Sequence, residues 1–358
     1  MVNGSKHITR RDFLGLGATA IGSAALGFAC LGTLPSCASS ATATSGVDGN
    51  LACITNVSYD PTREFYEAYN QMFAEYYKGA AGMQVTVVQS HGGSGSQARS
   101  VLEGADADVV TLALEHDVSV LERGKLIEPG WIDSLPNDSA PYTSTIVLLV
   151  RAGNPKSIND WDDLTKSGVE VITPDPKSSG GAMWNFLAAW DFASKLYPDN
   201  EKKVRRFMSD LYANVSVMNS GARGATTTFV ENGQGDVLIA WENEALISVS
   251  EYPGDFEIVN PSSSILCQPT VAVVTENTEK DGTTQIAYDY LSYLYEDESQ
   301  RLVGEYGYRP INEEILREFA DTFDLNMHLC SIEDFGGWSE AYDTYFKDGG
   351  IFDKIYLA

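Results

Sequence analysis

The chain is short of positive charge. Its 358 residues hold 24 Lys and Arg against 50 Asp and Glu, a formal net charge of -26 at pH 7. A nucleic-acid partner needs Lys/Arg stripes to neutralise phosphates, so this balance argues against one. It argues equally against docking on an anionic membrane face. Histidine and cysteine are also scarce, at four and five residues. Cys30, Cys37, Cys53, Cys267 and Cys330 form no Cys-x-x-Cys pair, and His7, His91, His116 and His328 are scattered. Zinc-type spacing is therefore missing, and neither a metal nor a cofactor is expected. No glycine run is followed by Gly-Lys-Ser/Thr, which disfavours a nucleotide-phosphate loop. No Gly-x-Ser-x-Gly surrounds Ser94 or Ser179, so a hydrolase elbow is unsupported.

What is present begins with an address. Residues 9–14 read Thr-Arg-Arg-Asp-Phe-Leu, and no charge follows until Asp48. Paired arginines before a Gly/Ala-rich, moderately apolar run resemble a twin-arginine export signal. The run is broken by glycines and stopped by Pro35, so it reads as a signal and not as a membrane span. It ends at Leu34-Pro35-Ser36-Cys37. This resembles a lipobox, which makes Cys37 the expected lipid-modified residue and anchors the chain to the outer face of the cytoplasmic membrane. Residues 1–36 are thus read as signal, and 37–50, rich in Ala, Ser, Thr and Gly, as a flexible tether.

From residue 51 onward, apolar strand-like runs alternate with helical periodicity. Leu51–Val57, Gln84–Gln89, Asp108–Leu114, Ser144–Val150, Val169–Thr173, Val237–Trp241 and Thr270–Thr275 read as strands. Helices are expected around Phe65–Tyr76, Ala98–Leu102, Ser119–Glu122, Ile158–Thr165, Ala182–Lys195 and Thr284–Tyr295, with a mostly helical tail from Asn312. Alternation of this kind predicts an α/β fold with mainly parallel sheets flanked by helices. Two lobes account for the order: residues 51–140 plus about 262–305 as lobe 1, and 141–261 as lobe 2. The segment 306–358 packs on them. Ligand is expected in the cleft, at the carboxyl ends of the strands.

Four segments place a small polar turn ahead of a helix: Ser58-Tyr59-Asp60-Pro61, His91-Gly92-Gly93-Ser94-Gly95-Ser96, Lys177-Ser178-Ser179-Gly180-Gly181 and Ser220-Gly221-Ala222-Arg223-Gly224. Helix starts offer unpaired N–H groups and about half a positive charge. Glycine lets backbone come close, and serine adds a hydroxyl donor, so such turns can hold an anion without any cationic side chain. Trp241, in Ile239-Ala240-Trp241-Glu242, adds an indole N–H, which donates and cannot accept.

These segments, together with Ala107-Asp108-Val109-Val110-Thr111, Pro141-Tyr142-Thr143-Ser144, Tyr308-Arg309-Pro310 and Phe335-Gly336-Gly337-Trp338, resemble the periplasmic sulfate-binding proteins. The resemblance runs from about residue 54 to the C-terminus. It implies a two-lobed type II periplasmic-binding-protein fold, a non-enzymatic receptor of an ABC-type importer, closing by a hinge on one dehydrated sulfate. The contacts it implies are the N–H groups of Asp60, Gly180, Gly181 and Ala222, the hydroxyls of Ser94 and Ser179, and the Trp241 indole. Arg223 and Asp117 are implied to stand behind them, tying off peptide dipoles. The implied partner is a membrane permease, and a monomer is expected.

Sulfate has only acceptors at neutral pH, so a site made of donors alone satisfies it, while protonated phosphate needs an acceptor as well. This holds if the Asp60 carboxylate turns away to cap its own helix. Thiosulfate, molybdate and tungstate stay open as ligands. So do two remoter readings: a sulfate or phosphate ester hydrolase using His91 with Ser94, and an adhesive surface protein.

Overall fold

The computed structural model describes residues 45–356. The export signal, Cys30 and Cys37 lie outside the described residues. The first sheet opens with β1 (Gly46–Asp48), antiparallel to β2 (Leu51–Tyr59), with Gly46 opposite Cys53 and Asp48 opposite Leu51. The expected tether thus ends earlier than residue 50. Ser45 Oγ donates to Asp108 Oδ2 at 2.5 Å, and Thr55 N donates to the same oxygen at 2.6 Å. A buried carboxylate is tolerable when donors surround it in this way, and here it stitches the chain's entry to the sheet.

β2 is buried along nearly its whole length, as expected of a strand covered on both faces. It runs through a 3-10 turn, Asp60–Thr62, into α1 (Arg63–Ala81). Tyr59, not Asp60, takes the cap position, and Pro61 occupies the first turn, where its missing N–H costs nothing. One face of α1 buries Phe65, Tyr66, Tyr69, Phe73 and Tyr77. β3 (Gln84–Gly92) follows, parallel to β2, then α2 (Ser94–Leu102), β4 (Val109–Leu112), also parallel to β2, and α3 (Glu115–Arg123).

The chain then crosses through β5 (Tyr142–Thr143) into β6 (Ile146–Arg151) of a second sheet. This lobe continues with β7 (Val171–Pro174), α4 (Gly180–Leu196), α5 (Glu201–Ala213) and β8 (Val215–Asn219). It ends with α6 (Ala222–Val230), β9 (Val237–Trp241), α7 (Glu242–Glu251) and β10 (Phe256–Val259), and its strand order is β10-β6-β9-β7-β8. The helix expected at Ile158–Thr165 is a 3-10 turn, Trp161–Thr165, held by an Asp160/Asp163 capping box. After β11 (Ser263–Ile265), the chain returns to the first sheet as β12 (Thr270–Val273). Ser144 and Cys267, one on each crossing segment, form a bridge there.

Each five-stranded sheet is mixed. β2 pairs in parallel with β3 and β4, and β7 with β8 and β9, whereas β12 runs against β4 and β6 against β9. Apart from the short edge strand β1, the antiparallel members are β6 and β12, which arrive from the other lobe. They have no βαβ crossover to turn them parallel. The tail from Asn312 is mostly short helical segments, as expected, with β14 (His328–Cys330) among them running parallel to β11; just ahead of it, β13 (Arg309–Pro310) pairs with β5. Cys53, Cys267 and Cys330 are free thiols.

The consequence for function is directional. β2, β3, β7, β8 and β9 all end where helices start; the turns after the first four face one another across the gap between the two sheets, and the end of β9 brings Trp241 beside Gly181.

Candidate binding cleft

One cavity is lined by Tyr59, Asp60, Pro61, Gly92, Gly93, Ser94, Ser179, Gly181 and Ala222, bringing the turns after β2, β3, β7 and β8 together. Of the residues singled out in the sequence, Asp60, Ser94, Ser179, Gly181 and Ala222 line it directly. Gly180 opens α4 beside Gly181, with its Cα turned toward Leu114 and Ala113 of the first lobe. Trp241 is not part of that lining but stands buried directly beside it. A Cβ built on Gly181 would stand 2.7 Å from Trp241 Nε1, so the indole N–H and the start of α4 share one small space.

The donors differ in how free they are. Trp241 is 1% exposed, and its Nε1 has no hydrogen-bond partner. A buried donor left unpaired costs about 1–3 kcal/mol, so this N–H is poised for an acceptor. Its ring packs on Tyr59, centroids 5.3 Å apart. Ser179 caps α4, and its Oγ accepts from Ala182 N at 3.4 Å, which leaves the hydroxyl proton available. Ser94 is arranged otherwise. Its Oγ accepts from Ala113 N at 3.1 Å and donates to Asp117 Oδ2 at 2.5 Å. Burial pushes the Asp117 carboxyl up to about 6, partly offset by the Ser94 bond and by Arg99.

Asp60 presents its carboxylate sideways. The group packs against Gly221, ahead of α6, and makes no cap bond to its own helix. The capping role expected of it is therefore not the one it plays. Burial raises its pKa, and the nearby Arg63 and Arg223 oppose that rise. Arg223 reaches across the cleft: its Nη2 lies 2.5 Å from Glu64 on α1 and 3.2 Å from Glu244 on α7. It thus spans the lobes as an ion-pair bridge. Glu64 and Glu244 were not among the residues singled out in the sequence, because they meet Arg223 only in the folded chain.

His91 does not team with Ser94. Its Nδ1 faces Tyr59 O at 3.4 Å, and burial lowers its pKa to about 4. A serine nucleophile with a histidine base needs the two side chains within hydrogen-bond reach; here the serine proton goes to a carboxylate and the imidazole to a carbonyl. Among the described residues, no three or more His, Cys, Asp or Glu gather to hold a metal ion.

A cleft of neutral N–H and O–H donors at converging helix starts, between two α/β lobes, is a receptor's architecture. Residues 55–309 match the family described as bacterial extracellular solute-binding protein. The chain belongs to that family. Among its relatives, the sulfate-binding protein of Escherichia coli (strain K12) is 54% identical over 304 residues, 84% of this chain and 92% of that protein. The thiosulfate-binding protein of Pseudomonas aeruginosa is 45% identical, covering 85% of this chain and 92% of that one. The solved structure of the sulfate-binding protein SubI from Mycobacterium tuberculosis H37Rv superposes with a TM-score of 0.74 at 34% identity, covering 81% of this chain and 98% of that one. As a solute-binding protein of this family, the chain is the extracytoplasmic, ligand-collecting part of an ABC-type importer. Among the described residues, no helix is long and apolar enough to cross a membrane.

Proposed function

We propose that this solute-binding protein captures sulfate, with thiosulfate as a second ligand, and delivers it without chemical change to its permease. The observation that carries the reading is the buried, partnerless Trp241 Nε1 beside the start of α4, in a cleft that also gathers the Ser94 and Ser179 hydroxyls and the starts of α4 and α6, with the Asp60 carboxylate to one side. The similarity to sulfate- and thiosulfate-binding relatives supports it. In this reading the N–H groups of Asp60, Gly180, Gly181 and Ala222, the Ser179 hydroxyl and the Trp241 indole hold the anion. Each bond to a charged group contributes roughly 1.5–3 kcal/mol net. Ser94 joins them only by turning its proton from Asp117 to the ligand. Arg223 and Asp117 act from behind, through Glu64, Glu244 and Ser94. Lobe 1 comprises residues 51–140 with about 262–305, and lobe 2 residues 141–261.

Phosphate is disfavoured because its proton needs an acceptor. The Asp60 carboxylate packs sideways against Gly221, and that of Asp117 accepts from Ser94. Export by the twin-arginine route, a lipid on Cys37 and a monomeric state belong to the same proposal. Calorimetric titration of the dialysed protein with sulfate tests it, with thiosulfate, phosphate and molybdate as competitors. Micromolar or tighter sulfate binding with weak phosphate binding is expected. Folded protein that ignores sulfate, or prefers molybdate, would overturn the ligand assignment.

A further inference from the structure

We infer that Gly93 sets how far the cleft closes and thereby fixes the size of anion it accepts. This rests on the reading of the cleft as an oxyanion site. Gly93 precedes α2 in the first lobe, and a Cβ built on it would lie 2.7 Å from Ser178 O and 3.2 Å from Ser220 O, both in the second lobe. These carbonyls belong to a braced platform. Ser178 Oγ donates to Ser220 O at 2.9 Å, Ser178 N to Asp175 O at 3.1 Å, and Asp175 N to Asn219 O at 2.7 Å. Gly93 is equally fixed, its own carbonyl accepting from Ser96 N and Gln97 N at 2.9 Å each.

The usual reasons for glycine do not apply here. The backbone at Gly93, φ -60° and ψ 131°, is open to any residue. At the position before a helix, Ser, Asp or Asn caps as well or better. What remains is close approach. Gly180 also meets the opposite lobe, but its neighbours are the side chains of Leu114 and Ala113, which yield more readily. At Gly93 the obstacle is backbone on both sides. The lobes are otherwise in contact across the gap, through Trp184 Nε1 to Ala113 O at 3.0 Å and Asn243 Nδ2 to Pro61 O at 3.4 Å.

An added methyl therefore falls about 0.7 Å short of the 3.4 Å at which ordinary contact begins, and the lobes must stop apart. Donors of the two lobes then no longer converge on a small oxyanion, while a larger one gains room.

Gly93→Ala tests this, with the wild type measured alongside. Sulfate binding should weaken at least about tenfold, mostly through faster release, with an association rate within about threefold of wild type. Molybdate should lose less than sulfate. Spin labels on the two lobes should report a longer shortest distance in the variant, and the ligand-free melting temperature should stay within about 2 °C. Sulfate affinity within twofold of wild type, or an unchanged shortest distance, would overturn the inference while leaving sulfate as the ligand. A wild type that fails to bind sulfate would instead overturn the ligand reading, and the label distances still decide the closure role of Gly93.

Discussion

The two halves of the cleft are built to different rules. The second lobe offers neutral donors that carry no carboxylate of their own: the Ser179 hydroxyl, the N–H groups opening α4 and α6, and the partnerless Trp241 indole. The first lobe brings a carboxylate with each donor. Asp60 carries its own, packed on Gly221, and the Ser94 proton is held by Asp117. An acceptor-only dianion is therefore satisfied mainly by the second lobe. The first adds fewer free donors, a negative background and closure. In a chain with a net charge of -26, this division lets local dipoles do what overall charge cannot.

The largest effect expected from this comparison comes from filling the second lobe's half. In Gly181→Asp the new Cβ must enter space 2.7 Å from Trp241 Nε1 and brings a negative charge to the donors. Losing at least one charge-assisted bond and adding repulsion should exceed about 4 kcal/mol, a loss of roughly a thousandfold or more in sulfate affinity by titration calorimetry. Retention within tenfold would show that α4 does not face the ligand.

The next effect compares the two serines directly. Ser179→Ala removes a free donor and should weaken sulfate binding about tenfold or more. Ser94→Ala should cost about threefold or less, because its bond to a ligand replaces one already made to Asp117. Its penalty should instead appear in the ligand-free protein, where a buried carboxylate loses its donor at about 1–3 kcal/mol. Equal losses of affinity would erase the difference between the lobes.

Much of the second lobe's half was legible in the sequence, because its donors follow short apolar strands in compact polar turns. Val237–Trp241 stands as a strand over the expected residues. What the residues alone could not reveal depends on distant chain meeting in space. Asp117 reaches Ser94 across 23 positions, and Arg223 reaches Glu64 across 159. β8 was missed because Val215–Asn219 is half-buried and lacks an apolar run. β1 was missed because it is a polar edge strand formed by pairing, not by propensity. Gly93 read as one glycine of a loose turn; only the carbonyls opposite it explain the absence of a side chain.

The smallest effect also separates the halves, through acid. None of the second lobe's Ser, Gly, Ala or Trp donors titrates near neutrality, whereas the first lobe holds His91, His116 and Asp117. Burial lowers both histidines to about 4, His116 with its ring 3.8 Å from that of Tyr342. An unfolded histidine titrates near 6.5. Between about pH 6.5 and 4 the unfolded chain binds protons that the fold refuses, so the histidines' contribution to stability is lost as pH falls. Asp117 works the other way. Raised to about 6 by burial, it takes its proton in the fold before an unfolded carboxyl does near 3.9, so its cost is full above pH 6 and fades on acidification. The histidines' contribution to the ligand-free melting temperature is thus a fall from pH 7 to 4.5, opposed by Asp117 and by Asp60, Asp108, Glu115, Glu242 and Glu244, whose carboxyls burial also raises. His116→Phe keeps a stacked ring without the proton and should make that fall shallower. Asp117→Asn removes one of the opposing carboxyls and should make it steeper. Parallel curves for all three proteins in differential scanning calorimetry would mean that the acid response arises elsewhere, and that the titrating groups of the first lobe do not govern it.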